Sequence, residues 1–537
     1  MVKKIANVLN QENSVTSASV ILIITLFLSN VLGMLRDHFL TQKIPTDLLS
    51  SYYAAFRVPD LIFNVLILGA MASAFIPVFT TLITQKKEKE AWLVAVSVIN
   101  IAIIFLVVTC LLLALLMPYL IPYIVPGFDP SKQELTVKLA RIMLLSPILF
   151  GLSYIFGGIL NSYKRFFVYA LAPLVYNLTI ITGTFLLANK YSVTGIAFAV
   201  VCGAFLHFFI QFPVAFKLGF RWHFKIALHH WGVKRIGFLM FPRAIALGSN
   251  QIMLLVFTAI ASSVGGYAIA AYTLADNIQT MPTVVFGTSF ATAIFPTLAE
   301  AASSGKDSDF GNHISKMIRI ILFFMVPMTI MFYLLRAEIV RLILGSGFFG
   351  WQQTIATADA LGFFALALIF SGLAPLFSRA FYALHNTKIP MIVTVIGVLI
   401  SISLAKVLSV KFGVGGLALA FSIGSFATTL SLYLILRTKI KIQNEKEIIV
   451  FILKILLAGA LTAIAIQESK MISGIFVDMQ RFWGVALKTF LALGIGSFVY
   501  LLCCWIFGCE ELHAIKIIFL KFGRRPINES GREESIQ

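Results

Sequence analysis

Long apolar runs without a single charge constrain this chain most. Residues 91–128, 244–275 and 277–299 contain no Asp, Glu, Lys or Arg. About 20 apolar residues in a helix cross a bilayer's hydrocarbon core. No water is available there, so each segment must satisfy its own peptide groups, and only helices or closed barrels do so. A barrel would need strands of about ten residues with alternating polarity. These runs are continuous, so the sequence predicts an all-α polytopic membrane protein. About fourteen transmembrane helices are expected, centred near residues 30, 65, 105, 148, 177, 205, 248, 285, 325, 370, 398, 425, 458 and 495. Only 12% of the residues are charged, against roughly 25% in soluble domains.

The net charge of +19 would suggest nucleic acid in a soluble protein. Here the Lys and Arg residues sit between apolar runs, which places them at the membrane surface and argues for no nucleic-acid partner. The loops after even-numbered spans hold 17 Lys and Arg, and those after odd-numbered spans hold 7. Cationic loops stay in the cytoplasm, so both termini are expected there. Residues 1–14 are short, basic and polar, and no small-residue cleavage site closes the first run, which is read as a retained helix. Cys110, Cys202, Cys503, Cys504 and Cys509 show no metal or disulfide spacing and are expected to be buried thiols.

An internal repeat organises the chain. VTGIAFAVVCGAF at 193–205 matches VGGLALAFSIGSF at 414–426, an offset of 221. SAFIP at 73–77 echoes TAIFP at 292–296 (offset 219), and ILNSYKRF at 159–166 echoes ALHNTKIP at 383–390 (offset 224). Each unit then holds six spans. An even number makes them two parallel six-helix repeats, and two extra C-terminal helices follow. The expected domains are an N-terminal lobe at 15–217, an amphipathic cytoplasmic linker at 218–235 and a C-terminal lobe at 236–440. The extra helices take 448–507, and a tail with a second amphipathic helix takes 508–537. Two similar bundles around a shared cleft suit alternating access. Prolines such as Pro59, Pro77, Pro282 and Pro296 lie within spans, where kinks are tolerated beside neighbours or water.

The first span carries Arg36 and Asp37 deep inside it. A charge at the bilayer centre costs roughly 2.5–3.5 kcal/mol on insertion scales, so such residues face protein or a wet cavity. Ser29, Asn30, Gly33, Arg36 and Asp37 make one small, polar helix face. That face fits a cavity for an anionic substrate, or equally an Arg–Asp pair satisfied locally near a helix end. Further charges are Arg57, Asp60, Arg243, Asp276, Asp359 and Arg379, with Asn64, Gln251, Asn277 and Gln279 as polar companions. Arg57 and Asp60, three apart, are placed to pair on one face, and Arg379 to snorkel. The candidate substrate-binding residues are Arg36, Asp37, Arg57, Arg243, Asp276, Asn30, Asn64, Gln251 and Asn277. Arginine is the side chain suited to bidentate phosphate contact. There is no P-loop, no HExxH and no paired Cys/His spacing. No enzyme, no cofactor and no metal site is therefore expected.

NVLGMLRD, TDLLSSYYAAFRVPDL, GAMASAFIPVF, VPGFDP, FPRAIALGSNQI and RAFYALHNTKIP resemble the lipid II flippase family, called MurJ or MviN, over roughly residues 15–440. The family belongs to the multidrug/oligosaccharidyl-lipid/polysaccharide exporter superfamily. The resemblance implies fourteen helices in two lobes and carriage of the undecaprenyl-pyrophosphate-linked peptidoglycan precursor from the inner to the outer leaflet of the bacterial cytoplasmic membrane. Its implied partners are that lipid-linked precursor, membrane lipids and cell-wall synthesis proteins. The family's RD motif maps to Arg36 and Asp37, its acidic residue opening the second helix to Asp47, and its basic residue before a proline to Arg57. Three family arginines are absent, with Asn30, Phe63 with Asn64, and Asn277 in their places. The residues alone leave open an exporter of another lipid-linked glycan or small molecule, and a transport-inactive membrane scaffold.

Overall fold

The computed structural model describes residues 15–68, 71–441, 443–476, 478 and 481–512, without the side chains of 15–23, 66, 68, 71–74 and 239–246. The expected tail helix near 512–525 falls largely outside these residues. Among the described residues all regular secondary structure is helical, and ten helices are long and apolar enough to cross a membrane. The count of fourteen is not reproduced by that measure, partly because two runs of 52 residues each join two helices. Phe166–Lys217 is interrupted at Ser192 (φ 48°, ψ −141°) and Lys388–Lys439 at Gly413 (φ 56°, ψ −132°).

The first repeat comprises α1 (Val15–Lys43), α2 (Thr46–Ile62), a π-helical turn π1 (Phe63–Leu68), α3 (Met71–Thr84), α4 (Glu88–Ile124), α5 (Pro130–Met143), α6 (Leu145–Ser162) and α7 (Phe166–Phe209), followed by α8 (Phe212–Lys217). The second comprises α9 (Trp231–Val264), α10 (Ala268–Pro282), π2 (Thr283–Thr288), α11 (Ser289–Ser303), α12 (Asp307–Leu334), α13 (Arg336–Leu344), α14 (Trp351–Ala383) and α15 (Lys388–Lys439). Helices α16 (Glu445–Phe476) and α17 (Phe482–Ile506) follow among the described residues.

Backbone geometry repeats along with the sequence. The two π turns start 220 residues apart. Residues with left-handed φ recur as Lys86 and Gly305, Lys164 and His385, and Ser192 and Gly413, at spacings of 219 to 221. Such conformations strain residues other than glycine, so their recurrence in one order reflects a shared fold. The pairing of Lys164 with His385 corrects the offset of 224 for that motif to 221. The two identities there, Leu160 with Leu384 and Lys164 with Lys388, followed side-chain type, whereas the turn geometry sets the true register.

Among the described residues the chain forms two compact units. One draws on Met1–Met281, Ile339–Ala367 and Lys388–Thr428, the other on Pro282–Glu338, Leu368–Thr387 and Thr429–Gln537. In the first unit Phe75, Phe79, Val94, Ile155, Phe156 and Phe220 share a buried core. Within the linker, whose last residues from Trp231 already belong to α9, residues 220–230 form a segment outside any helix. Asn100 on α4 holds it, donating to the His223 and Lys225 carbonyls (3.0 Å each) and accepting from Trp222 Nε1 (3.2 Å). Ser97 accepts the Ala227 N–H. These two side chains bond three of the segment's peptide groups and tie it to α4. Cys202 is exposed, unlike the other four cysteines, because it lies on an outward face of α7.

In the second unit Glu338 sits between Lys470 (2.9 Å) and Lys488 (3.7 Å), and Lys470 also donates to the Leu334 carbonyl at 2.7 Å. Tyr500 on α17 donates to the Phe323 carbonyl at 2.9 Å. Glu338→Ala leaves two largely buried ammonium groups facing each other. We expect it to cost about 1–3 kcal/mol, the buried-pair penalty discounted for partial exposure. Thermal melting in detergent checks this. A parent-like midpoint would show that the two lysines find other partners.

Candidate functional site

The polar cluster of the first unit starts at Asp37. This residue is 2% exposed on α1. Its Oδ1 accepts from Arg36 Nε (3.1 Å) and Nη2 (2.9 Å) and from the Tyr53 hydroxyl on α2 (3.4 Å). Its Oδ2 accepts from Asn277 Nδ2 on α10 at 2.7 Å. Arg36 Nη1 donates to Asn177 Oδ1 on α7 at 3.2 Å. Asn177 in turn donates to the Ser29 carbonyl (3.3 Å) and to Ser29 Oγ. Successive residues of one helix normally point apart, yet Arg36 folds back along α1 onto its neighbour. A charge within a span needs a counter-charge, and Asp37 is the one at hand.

Arg57 lies on α2 with 8% exposure. Its Nε donates to Thr258 Oγ1 on α9 at 2.7 Å and its Nη2 to Thr273 Oγ1 on α10 at 3.0 Å. Asp60, the expected partner, acts on its charge through space, while these two hydrogen bonds go to hydroxyls of the second repeat. A guanidinium has five N–H donors. Among the described residues Arg57 gives two of them, both to neutral acceptors. A buried guanidinium held by hydroxyls keeps its positive charge available to an incoming anion. Arg36, by contrast, is already matched by a carboxylate.

Asp276 accepts from Gln279 Nε2 within α10 at 2.9 Å, beside Asn277. Asn30 and Asn64 do not reach the cluster. Each donates one turn back along its own helix, to the Leu26 carbonyl (2.8 Å) and the Asp60 carbonyl (2.9 Å). Gln251 is half-buried on α9, seven residues before Thr258 and so on the same face. The Arg243 side chain lies outside the described residues. Asp47, in the first turn of α2, pairs with Lys132 Nζ of α5 at 2.5 Å. Among the described residues no three His, Cys, Asp or Glu side chains gather as a metal site.

Four residues of the cluster were not singled out from the sequence: Tyr53, Asn177, Thr258 and Thr273. A signal existed for one of them. Thr258 stands 221 positions after Asp37, and Asn277 stands 220 after Arg57. The repeat offset therefore locates Thr258, although threonine alone within a span attracts no notice.

Residues 45–486 match the family described as "Lipid II flippase MurJ". The "Probable lipid II flippase MurJ" of Rickettsia prowazekii (strain Madrid E) is 30% identical over 460 residues, covering 84% of this chain and 90% of that protein. Among solved structures, "Lipid II flippase MurJ, inward closed conformation" superposes with a TM-score of 0.75 at 25% identity, covering 94% of this chain and all of that one. An inward-facing multidrug resistance MATE family transporter of the MOP superfamily shares the fold, with a TM-score of 0.68 at 16% identity over 76% of this chain and 94% of its own.

Proposed function

The chain belongs to the lipid II flippase MurJ family, and from that premise we propose how its own residues do the work. It is a multi-pass membrane transporter and not an enzyme, and it carries lipid II between leaflets. The two repeats alternate access to a shared site near mid-membrane. Arg57 and Arg36 receive the substrate's pyrophosphate, with Arg243 adding charge from α9. Asp37 orients Arg36, and Asp276, Gln251 and Asn277 line the same site. Asn30 and Asn64 are peripheral to it. The undecaprenyl tail stays in lipid. Both termini face the cytoplasm of the cell whose inner membrane holds the protein, and fourteen spans give that parity. Membrane lipids surround the bundle, and cell-wall synthesis proteins are its protein partners.

One observation carries the assignment of the anion site: Arg57 is buried and bonded only to threonine hydroxyls among the described residues. Asp60 and Asp276 act on its charge through space and not through a hydrogen bond to it, so the guanidinium keeps N–H donors for an incoming anion. The decisive measurement is translocation of fluorescent lipid II in vesicles holding the purified chain, beside rescue of a bacterium depleted of its own flippase. We expect both to succeed. Undecaprenyl-linked sugars with the same pyrophosphate should compete, and uncharged polyprenols should not. No translocation and no rescue would remove the assignment.

A further inference from the structure

Around Arg57 and Asp37 the two repeats exchange hydrogen bonds in a symmetric way. Asp37 of the first repeat accepts from Asn277 of the second at 2.7 Å. Thr258, the second repeat's counterpart of Asp37, accepts from Arg57, the first repeat's counterpart of Asn277, also at 2.7 Å. Donors on α2 and α10 thus reach acceptors on α9 and α1. Between the two bonds, the Ala270 N–H donates to Ser50 Oγ at 3.1 Å. These two residues are 220 apart and so are counterparts of one another. Counterparts meet only near a two-fold axis, so the pseudo-two-fold passes at Ser50 and Ala270, both fully buried.

The loops beyond the helix ends repeat the exchange. The Gly127 N–H donates to Ser262 Oγ at 3.0 Å, and the residue lies on the backbone of Ser262 and Ser263. Its counterpart Gly347, at φ +61°, lies on the backbone of Gln42. At both places a Cβ would collide with main chain, so only glycine permits the approach. By the charge of the loops, this is the face turned away from the cytoplasm.

We propose that Asp37–Asn277 and Arg57–Thr258 are the two arms of a latch between the repeats, and that a pyrophosphate-bearing lipid releases it by drawing the Arg57 guanidinium off Thr258. The inference rests on the assignment of Arg57 to the anion site. Thr258 and Asn277 are positioning residues under this reading. Thr258 holds Arg57 away from its anion until one arrives, and Asn277 holds Asp37, which orients Arg36. Loading the substrate and opening the face beyond Lys43 become one event, because the same guanidinium serves both. A neutral hydroxyl is a weaker acceptor than a phosphate oxygen, so the exchange runs toward the substrate. Empty protein keeps the latch closed.

The test uses the full chain with its five cysteines replaced and a single reporter, Ser50→Cys, at the pseudo-axis. Maleimide labels it only when the repeats part. In the parent we expect slow labelling, and a several-fold acceleration by undecaprenyl pyrophosphate but not by undecaprenol. Thr258→Val and Asn277→Ala should each raise basal labelling about ten-fold, the loss of one hydrogen bond, and leave less for the lipid to add. Thr258→Ser, which keeps the hydroxyl, should restore parent behaviour, a rescue that a packing role would not give. Asn277→Asp is isosteric and sets a carboxylate against Asp37, so it should open the latch further and serves if a truncated variant fails to fold. Labelling that stays parental in folded Thr258→Val and Asn277→Asp overturns the latch. Lipid-insensitive labelling in the parent overturns release by the anion. Failure of lipid II translocation with the variant effects intact would remove the assigned cargo and leave the latch standing.

Discussion

A chain carrying Arg36→Ala and Arg57→Ala together should translocate lipid II at least about 100-fold more slowly than its parent. Each charge-assisted hydrogen bond is worth about 1.5–3 kcal/mol. One such bond lost at each guanidinium removes about 3–6 kcal/mol, a factor of roughly 10²–10⁴ in rate. Each single variant should lose about 10- to 100-fold by the same reasoning. Lysine at either position keeps the charge but not the planar fork, so Arg36→Lys and Arg57→Lys should fall between parent and alanine. Because Arg36 also balances Asp37, melting must be recorded beside transport to separate lost binding from lost folding. Translocation in the double variant within two-fold of the parent, at equal protein content, would mean that the phosphate goes elsewhere.

Asp37→Ala should be the most damaging single change to stability in the cluster. The carboxylate takes bonds from Arg36, Tyr53 and Asn277. Without it Arg36 keeps, among the described residues, only its bond to Asn177, inside a span. Breaking one side of a buried ion pair costs about 3–5 kcal/mol, mostly from the charge left behind. Asp37→Asn keeps an acceptor oxygen and should cost less. The double change Arg36→Met with Asp37→Leu removes both charges and should recover most of the stability, yet it should not recover transport. Thermal melting in detergent and vesicle translocation give the two readouts. An Asp37→Ala chain melting like its parent would show that water already screens Arg36.

Much of the candidate cluster was legible in the sequence. Arg36 and Asp37 stand out because charges inside an apolar run are costly, and the structure brings them together with Arg57's neighbourhood through Asn277. The same logic overstated Asn30 and Asn64. Amides in a helix can bond the carbonyl four residues back, and a sequence does not say whether an amide turns to its own helix or across a gap. It missed Thr258 and Thr273 because a threonine within a span reads as packing. It placed Arg57 beside Asp60 from spacing, and Asp60 does act on its charge, but the hydrogen bonds to two hydroxyls of the other repeat come only from tertiary contact. The linker's basic and aromatic character was readable, but its non-helical path is tied down by Asn100 and Ser97, more than 120 residues away.

Long uncharged runs settle that this chain is a bundle of membrane helices, since lipid offers peptide groups no partner except their own helix. The recurrence at about 220 residues settles that it is built twice. Which donor of one copy meets which acceptor of the other was decided only on folding. A hydrogen bond requires groups within about 3 Å, and residues 201 and 240 positions apart reach that distance only when the helices carrying them pack.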